Sequence, residues 1–137
     1  MSYAGDITPE QAWNMLDGNP EAVLVDCRTD AEWRFVGVAD LSSLGREVVY
    51  IEWNSADGRR NENFVDDLTS AGVTPGDRPV IFLCRSGNRS IGAAEAATAA
   101  GIGPSYNVLD GFEGNLDADG HRGGTGWRAI GLPWKQS

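Results

Sequence analysis

Four short apolar runs punctuate the chain: Ala22-Val23-Leu24-Val25, Val48-Val49-Tyr50-Ile51, Pro79-Val80-Ile81-Phe82-Leu83 and Tyr106-Asn107-Val108-Leu109. Near-continuous apolarity over four or five residues, without the alternation of a half-exposed strand, marks strands covered on both faces. Helix signals fill the gaps. Thr8 reads as a cap, Pro9 as the first helical residue and Gln11 as the closing member of a capping box. Ala12, Met15 and Leu16 then share one face until Gly18-Asn19-Pro20 stops the helix. Phe64 to Ala71 puts Phe64, Val65, Leu68 and Ala71 on one stripe, with Gly72 as terminator. The alanine-rich stretch from Ser90 to Ala100 ends at Gly101 and is the strongest helix. Strands alternating with helices at this spacing predict an α/β domain with a mostly parallel, buried sheet. With neither repeat nor linker, residues 1–137 read as one domain. A chain of this length buries about two-thirds of its unfolded surface and needs no metal or disulfide to hold a core.

Charge narrows the functional classes. Eleven Lys and Arg against 20 Asp and Glu give a net charge of −9, so phosphate backbones and anionic membranes are repelled. The five tryptophans are scattered, without a basic stripe between them, and read as core and loop anchors rather than base-stacking platforms. No apolar run approaches the ~18 residues of a membrane span. The start, Met1-Ser2-Tyr3-Ala4-Gly5-Asp6, lacks the basic and apolar regions of a signal peptide, so a cytoplasmic location is expected. Two cysteines and one histidine are too few for a disulfide scaffold or an ordinary zinc site. Asn115-Leu116-Asp117-Ala118-Asp119-Gly120 imitates the start of a calcium loop, but Gly126 stands where its bidentate glutamate is required. His121 in the same stretch reads as an exposed loop residue. The expectation is a protein that uses no metal or organic cofactor.

One segment supplies the local basic pocket that an acidic protein needs for an anionic ligand. Cys84-Arg85-Ser86-Gly87-Asn88-Arg89-Ser90 leaves the strongest strand and enters the strongest helix, where open α/β sheets bind ligands. Gly87 lets the backbone curl so that N–H groups converge, and the helix start adds its own unpaired donors and dipole. A cysteine at the base of such a cradle is expected to ionise below the usual ~8.5 and to act as a nucleophile. Arg89 follows Cys84 by five residues, whereas cysteine-dependent phosphatases place an arginine at the sixth, here Ser90. A shorter ring suits a terminal sulfur atom better than a tetrahedral phosphoryl group, which disfavours phosphatase or arsenate-reductase chemistry.

The Cys84–Ser90 segment resembles the active-site loop of the rhodanese (sulfurtransferase) family, and the likeness runs over most of the chain. Val23-Leu24-Val25-Asp26-Cys27-Arg28, followed by Glu32 and Trp33, is similar to that family's early strand ending in Asp-x-Arg. Asp110-Gly111-Phe112, Trp127 and Ala129 to Gly131-Leu132-Pro133 resemble its closing segment. The resemblance implies a rhodanese-like α/β fold, a central, mostly parallel five-stranded sheet flanked by helices on both faces. It also implies a catalytic Cys84 that carries sulfur as a persulfide.

The partners implied are a small anionic sulfur donor such as thiosulfate and a thiol or cyanide acceptor, or a protein acceptor. Arg85 and Arg89 would offset the donor's charge, and the backbone from Ser86 through Gly87 and Asn88 to Ser90 would hold the outer sulfur. Asp26 and Arg28 would brace the loop from behind. Cys27, lying between those two, reads as a buried apolar residue rather than a second thiol in the reaction. A non-turnover sulfur carrier or protein-binding module is the alternative. The chain departs from the family at Gly37 to Ser43 and in an insert from Gly114 to Gly126, loops that bear on substrate and partner.

Overall fold

The computed structural model describes residues 2–136. Five strands, β1 (Gly5–Ile7), β2 (Val23–Asp26), β4 (Val49–Tyr50), β5 (Val80–Leu83) and β6 (Ser105–Val108), form one sheet in the order β1-β6-β5-β2-β4. Every pairing in it is parallel. A separate antiparallel pair joins β3 (Val38–Ala39) to β7 (Trp134–Lys135).

Burial explains which runs became central. All residues of β2 and β5 are buried, as continuous apolar runs demand. The expected run at 48–51 behaves differently. Only Val49–Tyr50 pairs, at the sheet edge, and Tyr50 is 42% exposed, so this strand is not covered on both faces. Alternate residues serve opposite cores. Val23, Val25, Val80 and Phe82 face helices α3 (Phe64–Ser70) and α4 (Arg89–Ala99), through Phe64, Leu68, Ala93, Ala94 and Ala97. Leu24, Ile81 and Leu83 face helix α1 (Pro9–Gly18), through Ala12 and Leu16, together with Phe112 and Trp127. Helices therefore cover both faces of a five-stranded parallel sheet, the arrangement that the resemblance implies.

Local chemistry sets the helix starts. Thr8 and Gln11 form the expected capping box, with the Thr8 N–H donating to Gln11 Oε1 at 2.9 Å and the Gln11 N–H to Thr8 Oγ1 at 3.1 Å. Such a cap is worth about 1 kcal/mol. A second box, Thr29 with Glu32, opens α2 (Asp30–Phe35), a helix absent from the sequence reading because none of its residues is buried. Among the described residues no helix is long and apolar enough to cross a membrane.

The topology decides where chemistry can sit. From β2 the chain proceeds to β4 on one side, and from β5 to β6 on the other. The gap beyond the carboxyl ends of β2 and β5 is thus a topological switch point, where open α/β sheets bind ligands. Cys27 and Cys84 are the first residues past these two strands.

Candidate active site

Cys84 lies at the floor of the loop between β5 and α4, with its residue only 1% exposed. Its Sγ accepts the Gly87 N–H at 3.2 Å and the Ser90 N–H at 3.4 Å. Asn88, the residue before α4, makes no side-chain cap, so the sulfur occupies the place of a helix cap and faces the positive end of the dipole. Gly87 is required here on two counts. Its φ is +94°, and a Cβ would stand 3.0 Å from the Val108 carbonyl oxygen. Gly111 is tighter still. At φ +57° its Cβ would lie 2.3 Å from the Cys84 carbonyl oxygen, where the segment after β6 runs against the loop. That contact is hydrogen-bonded, Phe112 N–H to Cys84 O at 2.8 Å and Glu113 N–H to Arg85 O at 2.9 Å.

The two arginines of the loop occupy different settings. Arg85 is exposed, and its guanidinium has no ion-pair or hydrogen-bond partner among the described residues. Arg89 is half-buried, and its fork is filled by Glu32, with Nη1 to Oε1 at 2.7 Å and Nη2 to Oε2 at 3.0 Å. The glutamate that closes the capping box of α2 therefore also ties α2 to the first residue of α4. Burial alone would raise the Glu32 carboxyl, but hydrogen bonding and charge from Arg89 outweigh it, and the value is lowered. For Arg89 burial works downward and the Glu32 carboxylate wins in the opposite direction. Because the folded-state carboxyl lies below its unfolded value of ~4.3, the pair's stabilisation is present above that pH and lost as pH falls through the depressed value.

Behind the loop, Asp26 and Arg28 form an ion pair with both side chains fully buried. Arg28 Nε and Nη2 reach the carboxylate at 3.0 and 2.8 Å, and Nη2 also donates to the Gly37 carbonyl at 2.8 Å. Its guanidinium carbon sits 4.3 Å from the centre of the Phe112 ring. This one side chain thus joins the ends of β2, the start of β3 and the segment that carries Cys84's carbonyl partner. Ser86 and Asn88 line the outer side, joined by Asn88 Nδ2 to Ser86 Oγ at 3.3 Å.

The β2–β5 register pairs Asp26 with Leu83, and Cys27 continues it, facing the same core as Cys84. Its thiol is buried and donates to the Leu83 carbonyl at 3.4 Å. Burial, then the neighbouring Cys84 charge, pushes Cys27 well above the ordinary thiol value, so it stays a neutral thiol. The 114–126 insert folds back on its own base, with the Arg122 Nη1 donating to Gly114 O at 2.8 Å and Gly123 N–H to Glu113 O at 3.1 Å. Within it, Asp117 Oδ1 accepts the N–H groups of Asp119 and His121, both at 2.9 Å, and so serves a turn.

Two polar residues linked to the loop, Asn107 and Asp6, are not among the site residues to which the sequence pointed. Ser90 Oγ contacts Cys84 Sγ at 3.1 Å and hydrogen-bonds the buried Asn107, which in turn reaches Asp6. The signal was present: Asn107 interrupts an otherwise apolar strand run.

This fold and loop belong to a known class. A family model described as the STR4 middle domain matches residues 4–137. The chain is 36% identical over 130 residues to an uncharacterized protein of Rickettsia conorii, covering 95% of this chain and 96% of that one. It is 27% identical over 130 residues to the Protein THYLAKOID RHODANESE-LIKE, chloroplastic, of Oryza sativa, covering 95% of this chain and 25% of the plant protein. The crystal structure of Rv0390 from M. tuberculosis superposes with a TM-score of 0.91 at 70% identity, covering 99% of this chain and 100% of that chain. The Wolinella succinogenes polysulfide-sulfur transferase homodimer shares the fold, with a TM-score of 0.62 at 24% identity over 95% of this chain and 77% of its own. The chain belongs to the rhodanese-like family.

Proposed function

We propose that this chain is an enzyme that moves a sulfane sulfur from an anionic donor such as thiosulfate to a thiophilic acceptor, through a persulfide on Cys84. The observation that carries this reading is the seat of the sulfur, which accepts two backbone N–H groups at the uncapped start of α4. The Cys84 thiolate attacks the outer sulfur of thiosulfate. The donor's S–S bond breaks, and sulfite leaves with the electron pair. Charge on the persulfide's outer sulfur is offset by the loop N–H groups and the helix dipole. A thiolate or cyanide then takes the outer sulfur and returns the Cys84 thiolate, which gives ping-pong kinetics. Arg85, exposed and without a partner among the described residues, attracts the donor to an otherwise acidic protein. Arg89, held by Glu32, acts instead by fixing the start of α4. The reaction uses no resident metal or organic cofactor, and a protein acceptor is an alternative final partner.

Mass spectrometry after thiosulfate treatment tests the reading. A one-sulfur adduct that cyanide removes rapidly is expected. An adduct that persists in cyanide would make the domain a carrier, and no adduct at all would end the proposal.

Positioning by Arg89 is separable from donor binding. Arg89→Ala is expected to lower thiosulfate turnover about tenfold, and Glu32→Gln to do nearly the same. If Arg89 gripped the donor directly, Glu32→Gln would free its fork and lower KM instead. Steady-state kinetics on both folded variants distinguishes the two.

A further inference from the structure

Five side chains make a hydrogen-bonded row across the sheet beneath the start of α4. Cys84 Sγ lies 3.1 Å from Ser90 Oγ, Ser90 bonds Asn107 Oδ1, Asn107 Nδ2 reaches Asp6 Oδ1 at 3.0 Å, and the Tyr3 hydroxyl donates to the same oxygen at 2.7 Å. Ser90 and Asn107 are fully buried, whereas Asp6 is exposed at the sheet edge on β1. The direction of this row is set from its outer end. An ionised carboxylate only accepts, so Asn107 must turn its NH2 group to Asp6 and its oxygen to Ser90. Ser90 has one proton and must give it to that buried oxygen. What it offers Cys84 is a lone pair.

We infer that Asn107 and Asp6 are positioning residues that hold Ser90 as an acceptor and thereby favour the protonated, sulfur-free form of Cys84. In the thiol the row is complete, with S–H to Ser90, Ser90 to Asn107 and Asn107 to Asp6. A thiolate or a persulfide has no proton on Sγ to give. Ser90 can then satisfy the sulfur only by abandoning Asn107, which leaves a buried carbonyl unpaired. The row opposes the loop N–H groups, which favour negative charge, and biases the domain toward releasing sulfur rather than keeping it. Other titratable groups near Cys84 are Cys27 beyond β2, Arg89 at the start of α4 with its partner Glu32 on α2, and Arg85 in the loop.

The loading part of this inference rests on the proposed sulfur transfer, but the alkylation part does not. The decisive experiment follows the pH profile of iodoacetamide alkylation of Cys84 in a Cys27→Ser background. Asp6→Ala, at an exposed position, and Asn107→Leu are expected to move the profile to lower pH and speed alkylation at neutral pH about fivefold. In a Ser90→Ala background Asp6→Ala should change nothing, which separates the row from a simple loss of negative charge. At a fixed ratio of thiosulfate to sulfite, Asp6→Ala should also carry about fivefold more persulfide relative to free thiol by mass spectrometry. Wild-type alkylation profiles in the folded Asp6→Ala variant, or an equal shift without Ser90, would overturn the inference. Shifted alkylation with no sulfur loading in any protein would instead overturn the proposed reaction and leave the row intact.

Discussion

Cys84→Ser abolishes sulfur loading, with turnover from thiosulfate falling at least ~10³-fold while the circular dichroism spectrum stays that of the parent. The size of the effect follows from the chemistry. A serine hydroxyl is far less acidic than a thiol and cannot carry a sulfane sulfur, so the chemical step has no alternative route. The fold should survive because serine is slightly smaller and its oxygen can accept from the Gly87 and Ser90 N–H groups that now meet Sγ. Cys27→Ser is the control. That thiol is buried, bound to the Leu83 carbonyl and held neutral, so loading should stay near parental. Turnover by the serine variant of Cys84, or collapse of loading in folded Cys27→Ser, would mean that the nucleophile is misassigned.

Arg28→Ala should cost about 3–5 kcal/mol of stability, the largest loss expected from any one side chain beside the site. Truncation leaves the Asp26 carboxylate uncompensated inside the protein, removes the donor to Gly37 O and takes a guanidinium off the Phe112 ring. An exposed pair such as Arg34 with Asp30 should by comparison contribute less than ~1 kcal/mol. Urea denaturation reads the difference directly as a shift in midpoint at constant slope. Because Phe112 N–H holds the Cys84 carbonyl, the folded fraction of the variant should also turn over more slowly. A loss below ~1 kcal/mol would show that the pair is not what holds these segments together.

Much of the architecture was readable along the chain because it rests on local rules. The runs at Val23–Asp26 and Val80–Leu83 are buried on both faces, and near-continuous apolarity has no other economical explanation. The Thr8 capping box and the glycine-bearing loop after β5 depend only on neighbours a few residues apart. What escaped lacked such a signature. Strands β3 and β7 are two residues each, too short for a pattern, and Val38 pairs with Lys135, 97 residues further on. Helix α2 buries nothing, so no apolar stripe announces it, although its Thr29–Glu32 box is local and could have been found.

The position and type of the cysteine loop were determined by sequence alone, since a strand, a curled polar loop and a helix start in succession define a cradle wherever they occur. The partners of that loop were decided only by tertiary structure. Arg89 and Glu32 are 57 residues apart, and Ser90 and Asn107 are 17 apart. Asn107 and Asp6 are separated by 101 residues. No periodicity links such pairs; the parallel registers that set β2 and β6 beside β5, and β1 beside β6, bring them together. An arginine five residues from a cysteine reads, in one dimension, as a charge for the ligand. In the folded chain Glu32 fills its fork, because a half-buried guanidinium at a helix start is most stable when a carboxylate meets it.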